Sequence, residues 1–404
     1  MKILLLNSVY NFGSTGRIVK DLKYIIQSQG SDGVIVYGRG KKILDDNIFK
    51  IGSDLDFRLH VIYARVTDKA GFASSSYTKK MIKKIKEYAP DLIHLHNIHG
   101  YYLNIELLFN FLREYNKPVL WTLHDCWAFT GHCAYYDAIN CQKWQKECND
   151  CPQISEYPKS FIDNSLNNFH RKRVLFTSLK NLYLVTPSIW LRNEVGKSFL
   201  KQYPCYTIAN GIDLEQFKPN SHHFKQSRCI NNDRLKILGV ASVWNKRKGF
   251  ADFIKLSNLL DTDKYEIIMV GVTLKQKKYL ERYNIHAIER TDSVSELASL
   301  YQAADIFFNP TYEDNFPTTN LESLACGTPV LTYNTGGSPE CLTDKCGVVV
   351  EKGELEHVVF HINHWKSYQW NRNDCIEQAK KFDKFMKFEE YYKLYNKILC
   401  DIKE

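Results

Sequence analysis

The sequence has no apolar run approaching the ~18–20 residues that cross a bilayer. Its start, Met1-Lys2, is followed by only four apolar residues, Ile3–Leu6, before Asn7. That is short of the apolar core of ~7–15 residues in a secretion signal. These two absences predict a cytoplasmic chain. Glycine (20) and proline (11) are too few over 404 residues for a collagen-like or linker-rich architecture. No internal repeat and no low-complexity segment is present. The excess of positive charge is only +9, and no groove-reading motif accompanies it, so no nucleic-acid partner is expected.

What is present is globular. The chain is 44% hydrophobic and 25% charged, which excludes a disordered or fibrous protein. At ~150 residues per domain, 404 residues predict two or three domains. Short apolar runs alternate with amphipathic stretches. In the first half the runs are Ile3–Leu6, Gly33–Tyr37, Leu92–His96, Val119–His124 and Leu182–Thr186. Helical spacing fills the gaps, as in Ile18-Leu22-Ile25-Ile26. Such alternation predicts parallel sheets covered on both faces.

The alternation pauses at Asn210-Gly211-Ile212-Asp213 and through a polar stretch, Lys218 to Arg234. It resumes with Ile237–Ala241, Tyr265–Val270, Asp305–Phe308, Val330–Tyr333 and Val348–Val350. The reading is α/β: two doubly wound, Rossmann-like domains facing across a cleft. The first spans 1–211, with a Cys-rich insertion at 126–151 and a returning C-terminal helix at 386–404. The second spans 212–385. Ligands of such sheets sit outside the carboxyl ends of the strands.

Four segments at those ends carry candidate chemistry, and each has a plainer reading beside it. Gly13-Ser14-Thr15-Gly16-Arg17 opens a helix and presents backbone N–H groups to an anion, or is a tight turn. It matches neither G-x-G-x-x-G nor a phosphate loop ending in Gly-Lys-Ser/Thr. Trp121–Asp125 ends a strand at His124, which positions a substrate or is a histidine held by Asp125. Asn245-Lys246-Arg247-Lys248-Gly249 is a cationic strand-to-helix turn suited to a diphosphate, or a solvated turn. The richest segment, Asn309 to Val330, places Asp314 and Asn315 just before a helix with Pro317 at its first position. Glu322, a turn and a half further in, is able to take a ribose diol with both oxygens.

These residues in this order resemble bacterial glycosyltransferases of family 4, with the two-domain GT-B fold. The likeness is greatest to the colanic-acid and surface-polysaccharide group. Its marks run almost end to end: Gly13–Arg17, Pro90–Asn97, Thr122–Asp125, Thr186–Ser188, Asn210–Asp213, Arg247–Gly249 and Asp314–Glu340. The resemblance implies a retaining glycosyltransferase that needs no catalytic metal. Its donor is a nucleotide-diphosphate sugar, UDP- or GDP-linked, bound mainly by the second domain. By resemblance Lys248 contacts the diphosphate, and Gly16 admits the first-domain loop to it; Arg247 is the candidate second cation, from a different direction than the family's arginine. His124 lies near the transferred sugar, and Glu322 holds the ribose. The residues from Asp314 to Thr319, including Asn315, Phe316 and Thr318, face the sugar.

Three departures stand out. The family's Glu-x7-Glu becomes Asp314-x7-Glu322, with Glu313 beside it. Gly-Phe-Gly becomes Asn315-Phe316-Pro317, and Pro317 has no N–H to offer. Ala241 and Ser242 stand where many relatives carry an Arg. Two other readings remain open on the same residues: a nucleotide-sugar epimerase, and a non-catalytic sugar-nucleotide-binding protein.

Two further features concern partners. Tyr77–Lys86 is basic, with Met81, Ile82, Ile85 and Tyr88 on one helical face. It predicts either an element lying on the inner membrane surface, where a lipid-linked saccharide acceptor would be met, or a helix packed on its sheet. Cys126, Cys133, Cys141, Cys148 and Cys151 lie within 26 residues, where an even scatter of the twelve cysteines would put about one. Cys133, Cys141, Cys148 and Cys151 suit a structural zinc site, with reduced thiols or disulfides as the alternatives.

Overall fold

A computed structural model describes residues 1–219 and 233–401. Most of the polar stretch from Lys218 to Arg234, and residues 402–404 of the expected C-terminal helix, lie outside the described residues. The chain forms two compact units, Met1–Ala209 with Lys387–Glu404, and Asn210–Met386.

The first unit holds a seven-stranded sheet: β1 (Lys2–Val9), β2 (Asp32–Arg39), β3 (Ile48–Lys50), β4 (Leu92–Leu95), β5 (Val119–Thr122), β6 (Leu182–Thr186) and β7 (Cys205–Thr207). Their order is β3-β2-β1-β4-β5-β6-β7, and every pairing is parallel. The central strands are apolar because helices cover both faces: Ile3, Leu4, Leu5 and Leu6 are all at most 1% exposed. Helix Gly13–Ser28 buries Ile18, Val19, Leu22, Ile25 and Ile26 along one face. Helix Lys384–Asp401 buries Phe388, Tyr391, Leu394, Tyr395 and Ile398, in one apolar cluster with Ile3, Leu5 and Leu120. Each such side chain contributes about 1.5–3 kcal/mol by leaving water.

The second unit repeats the plan with six strands: β8 (Leu235–Val240), β9 (Tyr265–Val270), β10 (Ile285–Ile288), β11 (Ile306–Asn309), β12 (Val330–Tyr333) and β13 (Gly347–Val350). Their order is β10-β9-β8-β11-β12-β13, again parallel. Two doubly wound parallel sheets are what the alternating pattern predicts. In each, the strand order reverses at one point, between β1 and β4 and between β8 and β11. Loops leaving the carboxyl ends of those strands border a crevice suited to a ligand.

Several boundaries differ from expectation. β5 stops at Thr122, so His124 lies in the loop beyond it. Pro317 precedes the helix Thr318–Ala325 rather than opening it, with ψ at 117°. The basic helix Ser75–Tyr88 turns Met81 and Ile85 into the core, with Ile82 and Tyr88 packed against it. Its apolar face is therefore occupied by the sheet and is not available to lipid.

Candidate functional site

In the second unit, the loops after β8 and β11 flank the switch point. They are stitched together by hydrogen bonds to backbone carbonyls. The Tyr312 N–H donates to the Arg247 carbonyl at 2.8 Å, and the Arg247 guanidinium donates to the Glu313 carbonyl at 2.8 Å. On the same turn the Asn245 Oδ1 accepts the Lys248 N–H at 3.1 Å. This local geometry carries the Lys248 ammonium onto the Asp314 carboxylate, and the two form an ion pair. Burial alone would raise the Asp314 carboxyl. Lys248, Arg247 and the Asn315 N–H outweigh it and hold the group below its ordinary range. Of the two neighbouring acids, Asp314 is thus the one joined to the lysine. Glu313 is 5% exposed and uses its carbonyl to hold Arg247.

Glu322 sits in the helix Thr318–Ala325 and is 8% exposed. Its Oε2 accepts the Tyr301 hydroxyl at 2.9 Å. Burial, then the Glu322 charge, pushes the Tyr301 phenol well up, so it remains a donor. Thr318 and Thr319 begin this helix and are half-buried. Asn315 and Phe316 are 3% and 5% exposed. The Phe316 ring packs 5.7 Å from Phe382, and its carbonyl accepts from Asn210 at 3.1 Å, so this residue is held in the unit's interior. The Thr335-Gly336 turn presses against the same loop. A Cβ on Gly336, at φ +53°, would stand 1.7 Å from the Asp314 carbonyl oxygen.

Gly16 and His124 belong to the first unit. Gly16 packs against the loop after β1: an added Cβ would meet Asn11 N at 3.1 Å and Val9 Cγ2 at 3.2 Å, and the Gly16 carbonyl accepts the Asn11 N–H at 3.0 Å. The helix it belongs to has no side-chain cap, and its first N–H groups stand at the carboxyl edge of the sheet.

His124 is held by a partner other than Asp125. Its Nε2 lies 3.1 Å from Nδ1 of His96, which follows the adjacent strand β4. Asp125 pairs instead with His99 at 2.9 Å, and His99 bonds the Tyr157 hydroxyl at 2.9 Å. The His96 Nε2 is buried without a partner. An orphaned buried N–H is costlier than an orphaned acceptor. The shared proton therefore belongs on His96 Nδ1, which donates to His124 Nε2, and His124 carries its own proton on Nδ1. Burial pushes the His124 imidazole down to about 4, with Asp125 opposing and His99 assisting, so it is neutral near pH 7. Sequence reasoning did not assign His96 or Tyr301 to the site. His96 has a visible signal, the His94-Leu95-His96 ending of a strand. Tyr301 has none, since a tyrosine inside a helix reads as core.

The cysteines of the insertion lie near one another, Cys148 neighbouring Cys133, Cys151 and Cys141. Among the described residues, no three His, Cys, Asp or Glu side chains are placed to hold a metal ion, and the cysteines are free thiols. The buried Cys133 thiol is hydrogen-bonded to Cys151. Cys148 Sγ accepts the Gly131 N–H at 3.2 Å, and Cys141 packs at the core's rim. The four-cysteine zinc site stays an expectation of the sequence.

Comparison with known proteins agrees with this fold. Residues 27–216 match the family described as Glycosyltransferase Family 4, and residues 223–382 match Glycosyl transferases group 1. The chain is 25% identical over 378 residues to the colanic acid biosynthesis glycosyl transferase WcaC of Escherichia coli, covering 89% of each. It is 22% identical over 231 residues to the N,N'-diacetylbacillosaminyl-diphospho-undecaprenol alpha-1,3-N-acetylgalactosaminyltransferase of Campylobacter jejuni, covering 55% of this chain and 58% of that one. The crystal structure of Anabaena HepE in complex with UDP-glucose has the same fold, with a TM-score of 0.64 at 14% identity, covering 98% of this chain and 100% of that one. The chain is a GT-B fold glycosyltransferase, related to the family 4 enzymes of the colanic-acid type that build bacterial polysaccharides.

Proposed function

We propose that the chain transfers a sugar from a nucleotide-diphosphate donor to a lipid-linked, growing saccharide in polysaccharide synthesis, with retention of anomeric configuration. The observation that carries the donor half is the Lys248–Asp314 pair at the switch point, in the unit that also holds Glu322. In this reading Lys248 and Arg247 take the diphosphate, Glu322 the ribose hydroxyls, and Asp314, Asn315, Thr318 and Thr319 the sugar side. Phe316 supports that loop from within. From the first unit, Gly16 serves the diphosphate, and the His124 Nδ1–H donates to a sugar hydroxyl. UDP-glucose in HepE supports a sugar nucleotide as donor. The undecaprenol-linked substrate named for the Campylobacter relative supports a lipid-linked acceptor.

The chemistry follows from charge. The acceptor hydroxyl attacks the anomeric carbon on the face from which the diphosphate leaves. The bond to the acceptor oxygen forms as the bond to phosphate breaks, and the hydroxyl proton passes to the departing phosphate oxygen. Fixed cations stabilise the negative charge growing there, a preorganised electrostatic role that needs no divalent ion.

Thermal shift across a panel of UDP- and GDP-linked sugars tests the donor reading, because a ligand stabilises the folded state by mass action. One series should raise the melting temperature of the wild type and not of Lys248→Ala. A wild type indifferent to every sugar nucleotide would overturn the reading. Interconversion of the donor without any acceptor would identify an epimerase instead.

A further inference from the structure

Helix Asp54–Thr67 is built inside out. Its buried residues are His60 and Ala64 alone. Phe57, Val61 and Tyr63 are half-buried, Tyr63 against the core, but four apolar side chains point to water: Leu55, Leu59, Ile62 and Val66 are 67%, 56%, 57% and 52% exposed. At 100° per residue these four fall within about 60° of one another, opposite His60 and Ala64, along about 16 Å of helix.

Polar contacts and the rings of Tyr63 and Phe57, rather than this strip, hold the helix in place. Ser53 caps it by accepting the Asp56 N–H at 3.1 Å. The Gly71 N–H donates to His60 Nε2 at 3.2 Å, so His60 Nδ1–H donates to Ser74 Oγ at 2.9 Å, and that hydroxyl donates to Asp56 at 2.7 Å. The fold thus has no use for the four outward side chains. The patch also extends beyond the helix. The Phe161 N–H and the Ser160 hydroxyl both donate to the Arg65 carbonyl, at 2.8 and 3.0 Å. They fix Phe161 and Ile162, 69% and 50% exposed, beside the helix's last turn.

Charge says what covers the patch. Arg58 and Arg65 are exposed and line one edge of the strip on the same helix. From Arg58 to Glu87 there are eight Lys or Arg against two Asp or Glu, and one of those acids, Asp68, is buried on His132. Asp54, at the helix start, lies 3.3 Å from Lys50. A second copy docked antiparallel, by a two-fold axis across the helix, would set this cationic edge against its own charge. An anionic lipid surface meets both features: acyl chains for the strip, and headgroup phosphates for the arginines.

We propose that the outward face of helix Asp54–Thr67, with Phe161 and Ile162, docks the protein in the headgroup–acyl boundary of an anionic membrane. The inference goes beyond the transfer reaction and stands on a surface in the first unit alone. It also moves the membrane contact from the basic helix Ser75–Tyr88, whose apolar face is buried, to its neighbour in sequence.

Flotation with vesicles of equal parts phosphatidylglycerol and phosphatidylcholine tests it. The full-length wild type should float with these vesicles and not with pure phosphatidylcholine. Leu59→Ser/Ile62→Ser and Arg58→Glu/Arg65→Glu should each lower the floated fraction at least tenfold, with melting temperature unchanged because the sites are exposed. Three results would overturn the proposal. The first is a wild type that stays at the bottom at low salt. The second is an apolar variant that floats like the wild type while only Lys83→Glu/Lys84→Glu abolishes flotation. The third is a wild-type dimer, seen by sedimentation, that Leu59→Ser/Ile62→Ser converts to monomer, since the strip would then belong to a second copy.

Discussion

The ammonium of Lys248 and the carboxylate of Asp314, 66 positions apart in the chain, form an ion pair whose side chains keep only 20% and 16% of their surface exposed. The cation that the donor's diphosphate would need is therefore already balanced before any ligand arrives. In the proposed reading an incoming diphosphate has to share Lys248 with Asp314 or displace it. The carboxylate would then set the lysine's position and at the same time compete with the ligand for it.

Substituting the two partners should therefore act in opposite directions on binding. Lys248→Ala removes the fixed cation and should cost about 3–4 kcal/mol of barrier, or 10²–10³ in turnover, by analogy with a lost preorganised donor. Asp314→Asn removes the competitor and should bind the nucleoside diphosphate about tenfold more tightly while slowing transfer. Titration calorimetry and turnover on the same preparations separate the two. Equal weakening of binding by both variants would show that Asp314 does not compete for Lys248, and unaltered binding by Lys248→Ala would show that the diphosphate does not meet it.

A quieter prediction concerns Tyr301, whose buried hydroxyl donates to Glu322 at 2.9 Å. A hydrogen bond to a charged group contributes about 1.5–3 kcal/mol. Tyr301→Phe keeps the ring and removes the donor. If Glu322 grips the ribose, KM for the donor should rise about tenfold with kcat little changed. Loss of thermal stability with KM unaltered would assign Tyr301 to the core alone.

The architecture was legible because periodicity reports burial directly. Runs such as Ile3–Leu6 and Tyr265–Val270 are apolar on both faces only when a sheet is covered twice. Strands β3, β7 and β10 were missed, being three or four residues long and partly exposed, too brief for a pattern to show. The site was legible residue by residue but not pair by pair. Lys248 and Asp314 each stood out, yet no rule of spacing joins positions in two loops that meet only through the strand order. For the same reason adjacency offered Asp125 as the partner in one of the two readings of His124. Parallel pairing of β4 with β5 instead brings His96 to His124, and His99 to Asp125. The basic helix kept two readings for a third reason, since its pattern alone does not say whether the apolar face meets a sheet or a membrane, and the packed reading is the one the structure bears out.

Gly336 offers a test of the loop's geometry without touching a charge. Its φ is +53°, and a Cβ there would come within 1.7 Å of the Asp314 carbonyl oxygen. Gly336→Ala must move one loop or the other, and the loop carrying Asp314 is the one that orients Lys248. Donor binding should weaken by tenfold or more, while the sheet keeps its circular dichroism. Unaltered donor affinity would mean that the loop's position does not matter to the ligand.

The buried histidines make a prediction about pH whose sign follows from linkage. Burial pushes His60 and His124 down to about 4, and holds His94 and His96 well below their ordinary 6.5. Between pH 6.5 and 4 the unfolded chain binds protons at these positions and the folded chain does not. Stability therefore rises with pH across that window and is fully present above it. A shift from 6.5 to about 4 is of the order of 3 kcal/mol per group, so several such groups should make the melting temperature fall steeply on acidification below pH 6.5. His124→Asn keeps a polar group beside His96 and removes one titrating site, so its melting curve should depend less steeply on pH than that of the wild type. The same neutrality has a kinetic consequence. If His124 donates from Nδ1 as a neutral imidazole, turnover should show no protonation step assignable to it between pH 5 and 8. A wild-type step near 6.5 that disappears in His124→Asn would mean that this histidine is charged in the working enzyme, and that burial does not govern its state.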